Sequence, residues 1–226
     1  MDPIFYFEKK NGLYTVPKDE KHHIEVLRIK LPSQILFTDC SGYLFKGYLN
    51  ELYEVDVIER MENVKKEFVN VYFGICEKSR MKFILEKCTE LGVKSFNPVI
   101  TEKSDQYPLS FERANGILVS AIKQSRRYLL PIYNQPVKLE DIDSKILNGM
   151  IFGAIKGGEK QISQENIIDE VNILIGPPSG FTENEEDYLM NNGANSFYFN
   201  TAVLRTETFT VALLSIIHYL KGVKNG

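Results

Sequence analysis

The sequence predicts a small β-rich domain over residues 1–68, followed by an α/β domain with a mostly parallel sheet over residues 69–226. Two observations predict this fold class. Before residue 69, short runs of aromatic and β-branched residues are separated by turn residues, as in small β domains. After it, longer apolar runs alternate with segments whose apolar residues recur every three or four positions, which is the pattern of strands alternating with helices.

Four segments of the first domain are predicted strands. Residues 4–7 and 13–16 are rich in aromatic and β-branched side chains. Residues 34–39 and 43–54 flank a turn at residues 40–42, which predicts a hairpin.

A short helix is predicted over residues 20–27, and the charge-rich residues 57–67 are predicted to form a linker. The adjacent His22 and His23 lie on this helix, where neighbouring side chains diverge by about 100°. Because no third ligand is near in sequence, we interpret both histidines as packing or surface residues rather than metal ligands.

The second domain opens with a predicted βαβ unit. Residues 68–73 form a strand, a helix follows residues 77–82 and ends at Gly92, and residues 95–101 return as a strand. Such a unit connects parallel strands through a right-handed crossover.

Further elements follow in the same alternation. Ser110 is predicted to cap a helix that runs to about Ser125, and residues 150–155 form the next strand. Residues 153–160 contain glycine and lysine, but Glu159 stands where a Walker loop needs its lysine, so a nucleoside triphosphatase is excluded. The segment is interpreted either as a strand exit close to a ligand or as a turn.

The stretch 171–220 predicts the functional site. A strand at 171–175 turns through residues 176–180, and Thr182 to Glu185 read as a capping box at the start of a short helix that Gly193 ends. A second apolar run, residues 197–199, leads through a polar loop into a helix with an apolar face. Because ligands bind at the carboxyl ends of strands in open α/β sheets, these two loops are predicted to form the binding site.

Composition restricts the function classes. The net charge is −3, so an RNA site would have to come from local clusters of basic residues. Two clusters stand out: Lys78, Arg80 and Lys82, and then Lys123, Arg126 and Arg127. Each is interpreted either as phosphate-binding or as a solvated helix face. The three cysteines form no C-x-x-C pair, which argues against a disulfide framework or a zinc site. No signal peptide or apolar run of membrane-spanning length is visible, so a cytoplasmic protein is expected.

The order of these motifs resembles the SPOUT methyltransferases, and within them the family that methylates N3 of a uridine in small-subunit ribosomal RNA. That family reads roughly G-P-E-G-G-F/L in the first loop and L-G-x-R-I-L-R-x-E-T-A at the second, with K-x-x-E-L-G-V and Q-x-x-R upstream. The matching residues are Gly176, Pro177, Gly180, Phe181, Val203, Leu204, Arg205, Glu207 and Thr208, with Lys87 to Val93 and Gln124 to Arg127 upstream.

The resemblance implies an architecture and partners. It implies a trefoil knot in the C-terminal α/β domain, a PUA-like β-barrel as the first domain, and a homodimer. It also implies S-adenosyl-L-methionine as cofactor and ribosomal RNA of the small subunit as partner, with no metal and no membrane.

The resemblance also implies which residues bind the cofactor and which bind RNA. Those expected to bind the cofactor are Ile155, Gly157, Ile175, Gly176, Pro177, Gly180, Phe199, Asn200, Val203, Leu204 and Thr206. Those expected to bind RNA are Lys78, Arg80, Arg126 and Arg127.

Two residues are expected to be catalytic. Arg205 would offer a permanent positive charge to the uracil oxygens, or would form an ion pair with Glu207 or another acid. Glu207 is interpreted as a base, as a partner that orients Arg205, or as an acid at a helix N-terminus.

The chain departs from the family pattern at both loops. Pro178 and Ser179 replace Glu-Gly in the first loop, and Phe199 and Asn200 replace Leu-Gly before the second. Two alternatives therefore stay open: an RNA-binding protein of SPOUT-like fold that no longer methylates, and methyl transfer to another RNA position.

Overall fold

The computed structural model describes residues 3–63, 67–104, 106–154, 162, 167, 169–199 and 203–224. The chain divides into two compact units. The first unit contains residues 1–66 and 118–130, and the second contains residues 67–117 and 131–226.

The first unit contains a four-stranded sheet, a two-stranded hairpin and a helix. Its elements are β1 (Ile4–Tyr6), β2 (Glu8–Lys10), β3 (Leu13–Thr15), α1 (Lys18–Val26), β4 (Ser33–Thr38), β5 (Tyr43–Leu49) and β6 (Val55–Asn63). The strand order is β1-β4-β5-β6, with β1 and β4 parallel and the other pairs antiparallel. Hairpin β2–β3 turns at Asn11 and Gly12, which both have positive φ, as a tight two-residue hairpin turn requires.

An aromatic cluster forms the core of this unit. The rings of Phe7 and Phe37 stack with centroids 4.8 Å apart, and Phe37 stacks on Phe45 at 5.2 Å. Phe5, Ile24 and Leu49 are buried with them. The helix and strands predicted for residues 4–49 are confirmed, although β5 ends at Leu49 rather than Glu54.

Two expectations for the first unit change. Residues 57–63 belong to strand β6 and not to a linker, because antiparallel pairing with β5 holds this charged segment extended at the edge of the sheet. Within residues 3–63, the sheet is open between β1 and β6, so a closed barrel is not found there.

The second unit contains a sheet of seven parallel strands. Its elements are β7 (Val69–Gly74), α2 (Lys78–Leu91), β8 (Ser95–Ile100), β9 (Ile132–Tyr133), β10 (Val137–Lys138), a 3-10 turn (Leu139–Asp141), α4 (Ser144–Leu147), β11 (Ile151–Gly153), β12 (Val171–Ile175), α5 (Glu183–Asn191), β13 (Asn195–Phe197) and α6 (Thr206–Lys224); α3 (Phe111–Ser125) begins in this unit and ends in the first. The strand order is β10-β8-β7-β12-β11-β13, and β9 pairs with β8. All these pairs are parallel, which confirms the α/β class.

The predicted helix boundaries hold because local chemistry fixes them. The hydroxyl of Ser110 accepts the amide of Arg113 at 3.4 Å at the start of α3. Gly92 and Gly193, which follow α2 and α5, have φ of +99° and +83°, a backbone conformation that favours glycine. The last strand is displaced from its predicted position: β13 ends at Phe197, so Phe199 lies in the loop.

Apolar side chains cover both faces of the sheet. All six residues of β7 are buried, and its alternate side chains point to opposite faces. On one face, Tyr72 packs in a core with Phe152, Leu174 and Leu189. The buried stripes of α2 and α6 bring these helices together.

A chain of polar side chains crosses the sheet near the amino ends of its strands. Asn70 Nδ2 donates to Asn172 Oδ1 at 2.9 Å, and Ser95 Oγ donates to Asn70 Oδ1 at 2.6 Å. Because a one-residue slip would leave these groups unpaired, the chain fixes the register of β8, β7 and β12. In the part of the chain that the structure describes, no helix is both long and apolar enough to cross a membrane.

Candidate functional site

A cleft lies at the carboxyl ends of three neighbouring strands, β12, β11 and β13. Loop 176–182 follows β12, and the segment 203–205 precedes α6 on the opposite side. The first loop and the start of α6 touch, because Thr206 Oγ1 donates to the Gly176 carbonyl at 3.3 Å. This confirms that the two loops singled out in the sequence converge.

Most residues expected to bind the cofactor line this cleft. They are Ile175, Gly176, Pro177, Gly180, Phe199, Val203, Leu204 and Thr206. Ile155, Gly157 and Asn200 lie outside the described residues. The other lining residues were not assigned to the cofactor individually: Gly153, Ala154, Pro178, Phe181, Glu186, Tyr198 and Phe209. Of these, Pro178 and Phe181 belong to the first predicted loop motif, and Gly153 and Ala154 begin the segment interpreted as a strand exit close to a ligand or as a turn.

The first loop is held by a turn and by close backbone packing. The Gly180 amide donates to the Pro177 carbonyl at 2.8 Å, and Gly180 has φ of +69°. Gly74, at the end of β7, lies directly under the loop: a Cβ there would overlap the Pro177 backbone nitrogen and lie 2.6 Å from Pro177 Cδ. Glycine at residue 74 therefore permits the approach of the loop to the sheet.

Lys103 fastens the same loop from a different element. Its Nζ donates to the carbonyls of Phe181 at 2.8 Å and Ser179 at 3.2 Å. These are charge-assisted hydrogen bonds, which are stronger than neutral ones. Lys103 follows β8 by three residues and is far from the loop in sequence, so no local pattern could indicate this contact.

The predicted capping box at the start of α5 is confirmed and extends further. Thr182 Oγ1 accepts the Glu185 amide, and Glu185 Oε2 accepts the Thr182 amide at 2.8 Å. The other oxygen of Glu185 accepts the Glu102 amide at 2.8 Å. The buried Glu185 carboxylate thus connects α5 and the first loop to the segment after β8 through hydrogen bonds.

Aromatic rings pack around the far side of the cleft. Phe199 makes edge-to-face contacts with Phe197 at 5.1 Å and with Phe209 at 5.0 Å between centroids. A Cβ at Gly153 would lie 2.8 Å from the Phe209 ring. The cleft therefore offers flat apolar surface next to backbone polar groups.

The two expected catalytic residues have different surroundings. Arg205 is exposed, it does not line the cleft, and no described residue forms an ion pair with its side chain. Glu207 does not pair with Arg205: its Oε2 accepts from Arg80 Nη1 at 3.2 Å. Glu207 raises the pKa of the Arg80 guanidinium, with the Glu77 carboxylate adding to the effect.

The expected RNA-binding residues fall in both units. Lys78 is exposed at the start of α2, whereas Arg80 is engaged by Glu207 and Glu77. Arg126 and Arg127 follow α3 in the first unit. Their neighbour Lys123 forms an ion pair with the buried Glu20 at 2.6 Å, so its charge is neutralised locally.

Glu186 is the functional candidate that sequence reasoning missed. It is half-buried in the cleft, and burial is the main reason why its pKa is raised. The Lys103 ammonium partly opposes this rise, whereas Asp187 and Glu183 add to it. In the sequence it is one of four acidic residues at the start of α5, together with Glu183, Glu185 and Asp187, and only the fold places it in the cleft.

Among the described residues, no group of three histidine, cysteine or carboxylate side chains could hold a metal ion. The His23 ring is near the Glu20 carboxylate at 3.5 Å and makes an edge-to-face contact with Phe5. Cys40, Cys76 and Cys88 are buried, and none of these three described residues forms a disulfide.

The chain is similar to known proteins in both sequence and fold. Residues 63–218 match the family described as the RNA methyltransferase domain. Because the match covers more than half of the chain, the protein belongs to this family of RNA methyltransferases.

The sequences of individual relatives align with most of this chain. The chain is 27% identical to the ribosomal RNA small subunit methyltransferase E of Aquifex aeolicus over 224 residues, which covers 95% of this chain and 98% of the relative. It is 24% identical to the protein of the same name from Rickettsia conorii, covering 88% and 87%.

Solved structures share the fold. A ribosomal RNA small subunit methyltransferase E from Neisseria gonorrhoeae, bound to S-adenosyl methionine, aligns with a TM-score of 0.78 at 23% identity and covers 97% of this chain and 98% of the other. A probable rRNA-methyltransferase from Porphyromonas gingivalis aligns with a TM-score of 0.83 at 23% identity, covering 98% and 99%.

Proposed function

We propose that this protein uses S-adenosylmethionine to methylate N3 of a uridine in small-subunit ribosomal RNA. The observation that carries the proposal is the cleft between loop 176–182 and the start of α6, in a chain that belongs to the RNA methyltransferase family. The names of the relatives point to the ribosomal RNA of the small subunit.

The residues of the cleft fit this cofactor. S-adenosylmethionine has a flat adenine, a carboxylate and two positive charges. Phe181, Phe199 and Leu204 offer apolar surface for a ring. Backbone groups of loop 176–180 offer hydrogen bonds, and the Glu186 carboxylate offers a complement to positive charge.

When bound, the cofactor supplies a methyl group on a positively charged sulfur. The chain's own residues must then orient a base and stabilise charge. The base must leave its stack for its N3 to reach the cleft. Arg205 stands exposed, one residue before Thr206, where negative charge on the uracil oxygens would meet a fixed positive charge.

The Glu207 carboxylate is committed to Arg80, which supports a positioning role over the role of general base. We infer that Arg80 and Glu207 hold the start of α6 and that Lys78, Arg126 and Arg127 contact RNA phosphates.

We infer a PUA-like β domain with an open sheet that binds RNA over residues 1–68 and a methyltransferase domain over residues 69–226. We also infer the trefoil knot that the resemblance implies, near the start of α6, where Thr206 contacts Gly176 of the first loop. We also infer a homodimer, as the resemblance to the SPOUT methyltransferases implies. An enzyme of ribosomal RNA acts in the cytoplasm, where ribosomes assemble.

The test is methyl transfer to small-subunit particles from cells that lack the endogenous enzyme. Labelled S-adenosylmethionine should give one methylated nucleotide, and mass spectrometry of nuclease fragments should place the methyl group on N3 of a uridine. Methylation of another atom would favour the alternative RNA position. Binding of RNA without cofactor binding or label transfer would favour an RNA-binding protein that has lost the reaction.

A further inference from the structure

We propose that Glu186 recognises the positive charge of S-adenosylmethionine, as a cofactor-binding residue contributed by α5. This inference rests on the proposed function and assigns a role to a residue outside the two loop motifs. Among the described residues that line the cleft, Glu186 is the only one with a carboxylate.

The partners of neighbouring acids distinguish Glu186 from a helix-capping residue. Glu185 is buried, and each of its carboxylate oxygens already accepts a hydrogen bond, one from the Thr182 amide and one from the Glu102 amide. Glu183 is exposed and lies outside the cleft. Glu186 is half-buried in the cleft, and no described residue donates a hydrogen bond to its side chain or forms an ion pair with it.

A partly buried carboxylate that no described residue pairs with is unfavourable in its charged form, and burial accordingly raises the pKa of Glu186. Lys103 lies near enough to oppose this shift, but its ammonium is already bound to the carbonyls of Ser179 and Phe181. Charged side chains that are partly buried without a pairing partner are often found at functional sites. A cationic ligand in the cleft would give the Glu186 carboxylate a partner that no described residue provides.

The first loop supplies no carboxylate to the cleft. Its lining residues are Gly176, Pro177, Pro178, Gly180 and Phe181, which carry no ionisable side chain. Glu186 lines the same cleft from α5, the helix that follows the loop. Among the described lining residues, a negative charge for a cationic ligand therefore comes from this helix.

Three related ligands separate the charges that Glu186 could recognise. S-adenosylmethionine carries a sulfonium and an ammonium group, S-adenosylhomocysteine carries only the ammonium group, and methylthioadenosine carries neither. The experiment is calorimetric titration of the full-length wild-type protein, Glu186→Gln and Glu183→Gln with each ligand. Glu183→Gln is the matched control, because it makes the same change in the same helical turn outside the cleft.

Glu186→Gln should bind S-adenosylmethionine about tenfold more weakly, the loss expected when a charge-assisted contact becomes neutral. Methylthioadenosine binding should be unchanged, and so should all binding by Glu183→Gln. An equal loss for S-adenosylhomocysteine would assign the contact to the ammonium group, and no loss would assign it to the sulfonium.

A pH series gives a second readout. Affinity for S-adenosylmethionine should fall as acid protonates Glu186, and this fall should be absent in Glu186→Gln. Equal S-adenosylmethionine affinities in wild type and Glu186→Gln would overturn the inference, and so would an equal loss for methylthioadenosine. Failure of the wild type to bind S-adenosylmethionine would instead overturn the proposed function.

Discussion

Arg80 and Glu207 join the amino ends of two helices through an ion pair of 3.2 Å that is largely shielded from solvent. Arg80 lies in the first turn of α2, and Glu207 lies in the first turn of α6. At the other end of the pair of helices, His218 Nε2 donates to the Gly92 carbonyl at 2.8 Å. The helices are therefore parallel and fastened at both ends, which fixes the position of Thr206 at the cleft.

We expect Arg80→Ala and Glu207→Ala to be coupled in stability. Removing either residue leaves the charge of the other without its partner. A double-mutant cycle, measured by urea unfolding, should therefore give a coupling free energy of about 1 kcal/mol. This value is at the upper end of the range for solvent-exposed ion pairs, because this pair is largely shielded. The control is the local pair of Lys87 and Glu90 on α2, whose coupling should be at most about 0.5 kcal/mol. A coupling for Arg80 and Glu207 no larger than that of the control would contradict a positioning role.

Gly74→Ala should displace the first loop. Because the new Cβ would overlap the Pro177 backbone, the protein should lose about 1–3 kcal/mol of unfolding free energy. Affinity for S-adenosylmethionine, measured by calorimetry, should fall about tenfold, which equals 1.4 kcal/mol. Gly116→Ala in α3 is the control, since a Cβ there meets nothing within 4 Å. Normal cofactor binding by Gly74→Ala would mean that the loop does not position the ligand.

Lys103→Met should loosen the same loop while keeping most of the side chain's apolar stem. Loss of two charge-assisted hydrogen bonds should weaken S-adenosylmethionine binding by about five- to tenfold and speed amide exchange in residues 178–182. Lys145→Met, at an exposed lysine of α4, should change neither quantity. Unchanged exchange in Lys103→Met would show that the loop holds its conformation without the lysine.

Arg205→Ala should reduce catalysis more than binding. Removing one preorganised electrostatic group typically lowers turnover by about 10²–10³. Arg205→Lys should recover only part of this, because lysine lacks the planar guanidinium. Single-turnover methyl transfer to small-subunit particles, with cofactor and RNA affinities measured separately, distinguishes the effects. A loss explained wholly by weaker RNA binding would remove Arg205 from the chemistry.

Arg126→Ala and Arg127→Ala should weaken RNA binding and flatten its dependence on salt. Each lost phosphate contact should reduce the slope of log K against log salt by roughly 0.7–0.9. The control is Arg113→Ala, an exposed arginine near the start of α3, which should leave the slope unchanged. If both variants keep the wild-type slope, the cluster is a solvated helix end.

The sequence by itself determined the elements around the cleft. The periodicity of apolar residues and the chemistry of Ser110, Gly92, Thr182 and Gly193 are local, so they predicted helix boundaries that the structure confirms. Motif order was also sufficient to point to the family and to the two loops that form the cleft.

Only the tertiary structure decided which side chains meet across the sheet. Arg80 pairs with Glu207 across 127 residues, and Lys103 reaches Phe181 across 78. Strand β6 exists because β5 pairs with it, although its own composition resembled a linker. Glu186 lines the cleft and Glu183 does not, because α5 presents the two side chains in different directions. Such contacts depend on strand order and helix packing, which bring distant residues together and which local sequence patterns do not encode.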